Sequence, residues 1–558
     1  MVLAAPPLAQ WPFALLSIAP LVYGASRPGA KMWRDGGLMA LGAIPHWLVI
    51  QWWVHEVTAA GFVPFVLVLA ALTGIATTSL VLAAKVRPGR SWVWLTPVCW
   101  SGVEYFRGEV FGDGYAWGFP VHPLIDAPGV AGLASVGGVY LVSVLLSSFS
   151  GGVVDLMVSR RLPAGRQGAW RRVTGVMGVL SLPLGCVVGA FVAPPARTGD
   201  QVTIGAVQTN LAQNKKAAWT IDEEVSDLER FGELSRQAAG LGAELIAWPE
   251  TMTPGVTLVP ESLGVLDRER IVFPRKDGTL MPATALTDAV LGLQRELGLP
   301  MIVGEEALDG LKVSYPGDNK VKISQQARYN SAFMLLRGKV TPDRYDKMRL
   351  TPFGETMPGI RDFPSLQQAL LDIGAKGMRF DLAMGKTRRV FAVPRKTGVP
   401  VRVVTPICFE MSVAPICREL VFERGVRRAD VIVTVTNDGW FGESDLARRQ
   451  HLQLAQWRAA ELATPVVRVV NTGISAFIDE RGRVQASGVE GQPGAARVDG
   501  VLVRPVALVG GATTYAKSGE WAGVGTWVLW MLLLARAAVG TLLGTWRGQR
   551  RTRRLGRR

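Results

Sequence analysis

Cys408 closes the run Val403-Val404-Thr405-Pro406-Ile407-Cys408-Phe409-Glu410, a β-branched stretch ending where a helix is expected to begin. A strand-to-helix elbow exposes its side chain at a sheet end and near helix amides, which favour thiolate. Such a cysteine could act as a nucleophile. Cys99 and Cys186 lie in long apolar runs, where cysteine behaves as a small hydrophobe. Cys417 follows one helical stretch after Cys408. A Cys408–Cys417 disulfide stays open at this level, although the spacing gives it no specific support.

A cysteine nucleophile needs a base and a group that stabilises an oxyanion. Histidine, the usual base, is scarce: His46, His55 and His122 belong to the apolar amino-terminal part, and His451 falls in an expected surface helix between Arg449 and Arg458. Metal-ligand spacing is absent from the sequence, and so is a G-x-S-x-G serine elbow. The base is therefore expected to be a carboxylate or a lysine. Glu250 ends Ala243-Glu244-Leu245-Ile246-Ala247-Trp248-Pro249-Glu250, where partial desolvation suits proton transfer. Lys347 stands in Tyr345-Asp346-Lys347-Met348-Arg349-Leu350-Thr351-Pro352-Phe353-Gly354-Glu355. Taken singly, each reads as a solvated or salt-bridged residue. With Cys408 they suggest a Glu/Lys/Cys triad.

The elements that must position these residues follow a soluble α/β pattern between Asp200 and Glu520. Buried strands are expected at 202–208, 243–248, 300–304, 331–336, 401–407 and 430–436. Helices are expected at 221–240, 284–297, 411–426 and 445–463, and strand–helix alternation argues an α/β fold with covered sheets. The stretch 253–328, with Pro, Gly and charge scattered through it, is expected to supply loops over a site.

The rest of the 558 residues is a different material. Runs near 9–25, 36–54, 61–84, 91–107, 129–157, 173–196 and 521–545 are apolar enough to cross a bilayer, the first and fourth being short for it. Trp11, Trp52, Trp53, Trp92, Trp94 and Trp521 sit near their ends, as interfacial anchors do. Basic residues fill alternate connections: Arg27, Lys31 and Arg34; Lys85, Arg87 and Arg90; Arg160, Arg161, Arg166, Arg171 and Arg172; and the tail Arg547, Arg550, Arg551, Arg553, Arg554, Arg557 and Arg558. Positive-inside bias places these segments in the cytoplasm and the α/β part on the outer side. They hold 18 of the 61 Lys and Arg, and the other 43 stand against 45 acidic residues, so the net charge of +16 encodes topology. Nucleic-acid binding through a tail that directly follows a span is not expected. Met1–Ser26 carries no charge, so no cleavable signal peptide is expected.

Trp248-Pro249-Glu250, the Tyr345–Glu355 string, Pro406-Ile407-Cys408-Phe409-Glu410, Asn437-Asp438-Gly439-Trp440-Phe441-Gly442 and Arg468–Ser475 resemble the nitrilase superfamily. With the apolar spans, and with Glu104–Arg107 followed by Gly118-Phe119-Pro120, nearly the whole chain resembles the bacterial apolipoprotein N-acyltransferase family. The resemblance implies a polytopic α-helical membrane domain plus an α/β nitrilase-like α-β-β-α sandwich. Its boundaries would be 1–198 for a transmembrane domain of about six spans, 199–518 for a periplasmic catalytic domain, 519–546 for a last span and 547–558 for a basic cytoplasmic tail.

It also implies a ping-pong acyltransferase of the inner membrane. Cys408 would take an acyl chain from a phospholipid as a thioester. Glu250 would accept the thiol proton, and Lys347 would stabilise the oxyanion. The acceptor would be the α-amino group of an S-diacylglyceryl cysteine on an apolipoprotein. Glu355 and Glu410 match positions that orient Lys347 and the site, and Trp219 and Trp440 match aromatics lining the substrate cavity. No cofactor or metal is needed, and a monomer in the bilayer is expected. Phe409 departs from the family's usual Tyr, and the segment between Glu250 and Lys347 is longer than the family's. The family has one more amino-terminal span, a difference that a shortened gene model or a lineage variant would explain. Apolar residues Phe363, Leu366, Leu370, Leu371, Ile373 and Met378 in 355–385, and the loops of 253–285, would serve as lids or as ordinary packing.

Two rivals differ in class. A membrane-anchored amidase for a small C–N substrate shares the triad but gives no reason for seven spans. A transporter or inert scaffold would carry ionisable residues in mid-span, and the spans have few.

Overall fold

The computed structural model describes residues 3–4, 10–163, 165–212, 219–315, 321–352, 354–356 and 382–555, without the side chains of residue 60 and of those from 541 onward. The six apolar residues named above as a lid lie outside this set. The chain forms two units, one built from the residues up to Trp52, Phe62–Val192 and the carboxy-terminal part from Ser518, the other from Trp53–Gly61 and Ala193–Lys517.

The first unit is helical. Gly61–Val86, Val130–Ser159, Arg166–Phe191 and Trp521–Gly540 are each long and apolar enough to cross a membrane. The other expected spans coincide with shorter or more polar helices at Ala19–Ala25, Met32–Ile50 and Trp92–Tyr105. Small residues let the fifth and sixth expected spans touch through their backbones: a Cβ on Gly152 would stand 2.7 Å from the Gly175 carbonyl oxygen. Asp155 accepts from Arg171 Nη1 at 2.6 Å and is bonded by Ser91, which caps the helix starting at Trp92. One buried carboxylate thus ties three helices.

The second unit rests on two sheets. The first has the order Gly500–Val509, Arg197–Gln208, Leu245–Ala247, Met301–Asp309, Ala327–Leu336, Lys339–Asp346. Its middle pairs are parallel, with Gly205 opposite Ile246 and Ala247 opposite Ile302. The second runs Phe391–Val393, Val401–Val404, Val431–Thr436, Val466–Val470, Ala476–Ile478, Val484–Val489, Gln492–Pro493, again parallel at its centre. Alternation decides which side each residue faces. Val202, Ile204, Ala206, Leu245 and Ala247 share one core with Val403, Val431, Val433 and Val467 of the other sheet. Their neighbours Val207 and Ile246 face the helices Ile221–Gly240 and Ala285–Leu297. Helices Ala414–Val421 and Asp445–Leu462 pack on the second sheet, completing the expected α-β-β-α sandwich.

Local chemistry explains several boundaries. Thr220 and Glu223 form a reciprocal capping box at the start of Ile221–Gly240. The helix expected over 411–426 stops at Val421, where the chain turns into the short hairpin Phe422–Glu423 and Val426–Arg427 around Gly425 at φ +78°. The stretch 253–328 is not simply loops: helix Pro260–Arg268 and two hairpins enclose a small core of Leu266, Ile271, Ala283 and Leu311. Residues 53–61 join this unit although the sequence lies between two apolar runs. Trp53 meets Phe441 edge-on with ring centroids 4.9 Å apart.

Candidate active site

Glu250 stands just past the carboxyl end of Leu245–Ala247, at the parallel centre of the first sheet, where α/β folds gather their functional side chains. Gly304 on the adjacent strand lets the chain turn there, because a Cβ on it would lie 2.5 Å from the Pro249 carbonyl oxygen and 2.7 Å from Glu250 Cα. The Glu250 carboxylate is buried and fully engaged. Oε1 accepts from Asn330 Nδ2 at 2.7 Å and Lys347 Nζ at 3.2 Å, and Oε2 accepts from the Asn437 backbone N–H at 2.8 Å. Asn437 follows a strand of the second sheet, so one carboxylate links both sheets.

Lys347 follows the edge strand Lys339–Asp346 and is 1% exposed. Its backbone N–H donates to the Asn330 carbonyl at 2.8 Å. Its ammonium reaches Glu355 Oε1 at 2.9 Å and Oε2 at 2.8 Å as well as Glu250. Burial works against the charge on Lys347, but Glu250 and Glu355 outweigh it and hold the ammonium well above its ordinary range. Burial likewise pushes Glu355 up, while Lys347 and the Thr351 N–H pull it below the usual carboxylate value. A permanently charged lysine between two carboxylates results.

Cys408 begins the short turn Cys408–Ser412 after the strand Val401–Val404. Its φ is +51°, in the left-handed region, and it is half-buried where Glu250 and Lys347 are buried. Burial and the Glu250 charge push the thiol up, against the pull of Lys347. Burial first, and then the Glu250 carboxylate, thus oppose the thiolate that an elbow position favours, and the Lys347 ammonium supports it. Cys408 and Cys417 are both free, so the alternative disulfide is not formed.

Glu410 is fully buried and binds the Cys408 turn to the strand end that carries Lys347. It accepts from the N–H groups of Ile407 at 2.7 Å, Met348 at 2.7 Å and Arg349 at 3.0 Å, and from the Tyr345 hydroxyl. Phe409 is buried beside it. The aromatics are less central. Trp440 lies partly exposed on the turn Asp438–Phe441, and Trp219 packs on the outer helix layer and donates to Asp227 at 2.9 Å. Neither shows a contact with the triad among the described residues.

Sequence reasoning missed two groups. Asn330, inside a strand, bridges Glu250 and Glu355 through Nδ2, at 2.7 and 3.0 Å. An asparagine in a strand carries no motif, although an amide among β-branched neighbours is itself unusual. His451, expected on a surface helix, is 1% exposed. Most of the helix Asp445–Leu462 is buried, and several of its polar residues find partners inside: Arg448 donates to the carbonyls of Gly442 and Thr472, Gln456 to that of Gly482, and Arg458 pairs with Glu461. His451 Nε2 meets the Cys408 carbonyl oxygen at 3.2 Å. Among the described residues no cluster of His, Cys, Asp and Glu could hold a metal ion.

The arrangement offers a protonated thiol, a carboxylate able to take its proton and a fixed cation for a developing oxyanion, the parts of acyl transfer through a covalent intermediate. Residues 203–516 match a family model described as carbon-nitrogen hydrolase, and residues 1–152 match one described as apolipoprotein N-acyltransferase N-terminal domain. Apolipoprotein N-acyltransferase of Azotobacter vinelandii is 30% identical across 96% of this chain and 93% of its own length. That of Pseudomonas aeruginosa PAO1 is 28% identical across 95% and 93%. Among solved structures, an amidase of Nesterenkonia matches at 13% identity and a TM-score of 0.35, over 60% of this chain and 99% of that one.

Proposed function

The chain belongs to the apolipoprotein N-acyltransferase family within the carbon–nitrogen hydrolases, and from that premise we propose how its geometry carries out lipoprotein N-acylation. It is an acyltransferase and a bacterial membrane protein; phospholipid is the donor and a diacylglyceryl apolipoprotein the acceptor.

Glu250 takes the Cys408 thiol proton as sulfur attacks the acyl ester carbonyl of a phospholipid. The oxyanion forms within reach of Lys347, whose charge Glu355 secures. Collapse breaks the ester C–O bond, and the leaving alcohol takes the proton from Glu250 and departs as lysophospholipid. The α-amine of the S-diacylglyceryl cysteine then attacks the thioester, and Glu250 receives the amine proton. Collapse expels Cys408 sulfur, which recovers that proton, leaving an amide. One site serves both half-reactions in turn, as ping-pong chemistry requires.

The observation that carries this reading is the buried contact of Lys347 Nζ with both Glu250 and Glu355, set beside a half-buried Cys408 in a left-handed elbow. A thioester trapped from membranes given phospholipid without acceptor is measured by intact mass. Cys408→Ala is expected to show no adduct, Glu250→Gln to form it about 10²–10⁴-fold more slowly, and added diacylglyceryl-cysteine peptide to discharge it. An adduct on Cys408→Ala, or release of free fatty acid in place of N-acylated peptide, would sink the proposal. The amidase alternative is not favoured, since its substrates give no use to the membrane unit.

We further propose that the catalytic unit faces the periplasm and the carboxy-terminal tail the cytoplasm, on the strength of the basic segments around Arg27, Lys85, Arg160 and Arg547. A site at the outer leaflet meets both lipid-anchored substrates without exposing acyl chains, which would cost about 0.8 kcal/mol per CH₂.

A further inference from the structure

Cys408 holds a left-handed backbone, φ +51°, where a residue with a Cβ is disfavoured by roughly 1–2 kcal/mol. Such a conformation persists only where neighbours over-determine it. On the upstream side the restraint is clear: the Ile407 N–H donates to Glu410 Oε2 at 2.7 Å, and Ile407 bridges to Val435 in the second sheet. On the downstream side the Cys408 carbonyl oxygen meets His451 Nε2 at 3.2 Å. Nothing in the acyl-transfer steps above uses that histidine.

A carbonyl oxygen can only accept, so Nε2 carries the hydrogen. The other ring nitrogen fits this. Nδ1 stands 2.9 Å from Arg468 Nη2 and 2.9 Å from Asp438 Oδ1, so it either accepts from the guanidinium or donates to the carboxylate. Nε2–H is present in both states. Burial and the Arg468 charge hold the imidazole below its ordinary range, which favours the neutral ring with Nδ1 accepting. Arg468 in turn donates to both Asp438 oxygens, at 2.9 and 2.8 Å, and all three side chains are at most 1% exposed. The Phe441 ring stands edge-on to the imidazole at 5.7 Å. The ring cannot turn without giving up its buried hydrogen bond at Nδ1, and Nε2–H points at the nucleophile's own peptide.

We propose that His451 is a positioning residue for the nucleophile: its Nε2–H, aimed by Asp438 and Arg468, holds the Cys408 carbonyl and so keeps the elbow in the left-handed conformation that presents the sulfur to its base. The inference rests on the functional reading of Cys408 given above. His451 acts through the peptide of Cys408 and touches neither lipid nor acceptor in this role. It governs the rate of thioester formation and leaves phospholipid binding alone.

Replacement can separate this role from simple packing. Glutamine places its amide nitrogen close to the imidazole Nε2, asparagine places its own close to Nδ1, and methionine fills similar space with no donor. Thioester formation is measured in membranes with a fluorescent phospholipid, at saturating and limiting donor, with the amount of folded protein as control. His451→Met is expected to lower the saturated rate about tenfold or more, as misplacement of a reacting group does, with KM within about twofold of wild type. His451→Gln is expected to restore the rate to within a few-fold, and His451→Asn to stay slow. If the methionine variant does not accumulate, the Gln and Asn pair decides. Wild-type rates in Met or Asn, equal losses in Gln and Asn, or a loss confined to KM would overturn the inference and leave the functional reading standing. A thioester on Cys408→Ala would overturn both.

Discussion

Lys347 is the residue on which the charge balance of the site turns. Among the described residues its ammonium is the one cation in contact with Glu250 and Glu355, and all three are buried to nine-tenths or nearly so. Removing one partner of a buried ion pair leaves an uncompensated charge, at about 3–5 kcal/mol. Lys347→Met should therefore do two things. It should cut thioester formation by about 10²–10³, as loss of an oxyanion donor does, and it should lower the thermal midpoint. Lys347→Met together with Glu355→Gln should recover much of the stability and none of the rate. Recovery of rate in the double variant would show that Lys347 serves only to neutralise Glu355.

Single atoms decide the elements as well. The strand Leu245–Ala247 ends in a turn that fits only because residue 304, on the strand Met301–Asp309, has no side chain. Gly304→Ala should push Pro249 and Glu250 away from Asn330 and slow acylation about 10²-fold with the protein still folded; a rate within twofold of wild type would contradict this. The helix Asp445–Leu462 and the turn Asp438–Phe441 meet where His451 lies against Asp438, which Arg468 of the strand Val466–Val470 pairs with. Burial pushes Asp438 up, but Arg468 and His451 outweigh it and bring its carboxyl down to about 2, from an ordinary 3.8. A lowered carboxyl binds fewer protons folded than unfolded between those values. Its stabilisation, about 2 kcal/mol, is complete above about pH 4 and lost as pH falls towards 2. Thermal midpoints in detergent should fall through that window, and Asp438→Asn should begin lower at pH 6 and change less. An equal slope for both proteins would rule the coupling out.

The chain combines helices long and apolar enough to cross a membrane with an α-β-β-α sandwich. Val399 is 66% exposed in the second unit, which makes it a reporter of sidedness. With Val399→Cys, a membrane-impermeant maleimide should label intact spheroplasts, while a fluorescent protein fused after Arg558 should fold and fluoresce in the cytoplasm. Labelling only after lysis would reverse the proposed orientation.

Legibility followed the range of the physics. Short-range patterns were readable: β-branched runs gave the central strands, the amphipathic stretch 221–240 gave Ile221–Gly240, apolar length gave four helices able to cross a membrane among the seven expected spans, and the alternation of basic segments gave an expected topology. The strands Lys339–Asp346 and Gly500–Val509 were not read, since exposed edges and charge break their alternation. Glu250, Lys347 and Cys408 were singled out because they sit at strand ends inside long motif strings, and Glu355 and Glu410 followed from the same strings. Asn330 and His451 were not, since an amide in a strand and a histidine between arginines look ordinary one-dimensionally. By itself the sequence determined the types of the candidate reacting groups and the strand ends that carry them, because local backbone preference and hydrophobic period act over a few residues. Only the tertiary structure decided that Lys347 lies between two carboxylates, that Cys408 is half-buried in a left-handed turn, and that a helix rich in charge is mostly buried. Desolvation and ion pairing depend on groups brought together from sites as far apart as Glu250 and Lys347, or Cys408 and Arg468, and distance along the chain says nothing about distance in space.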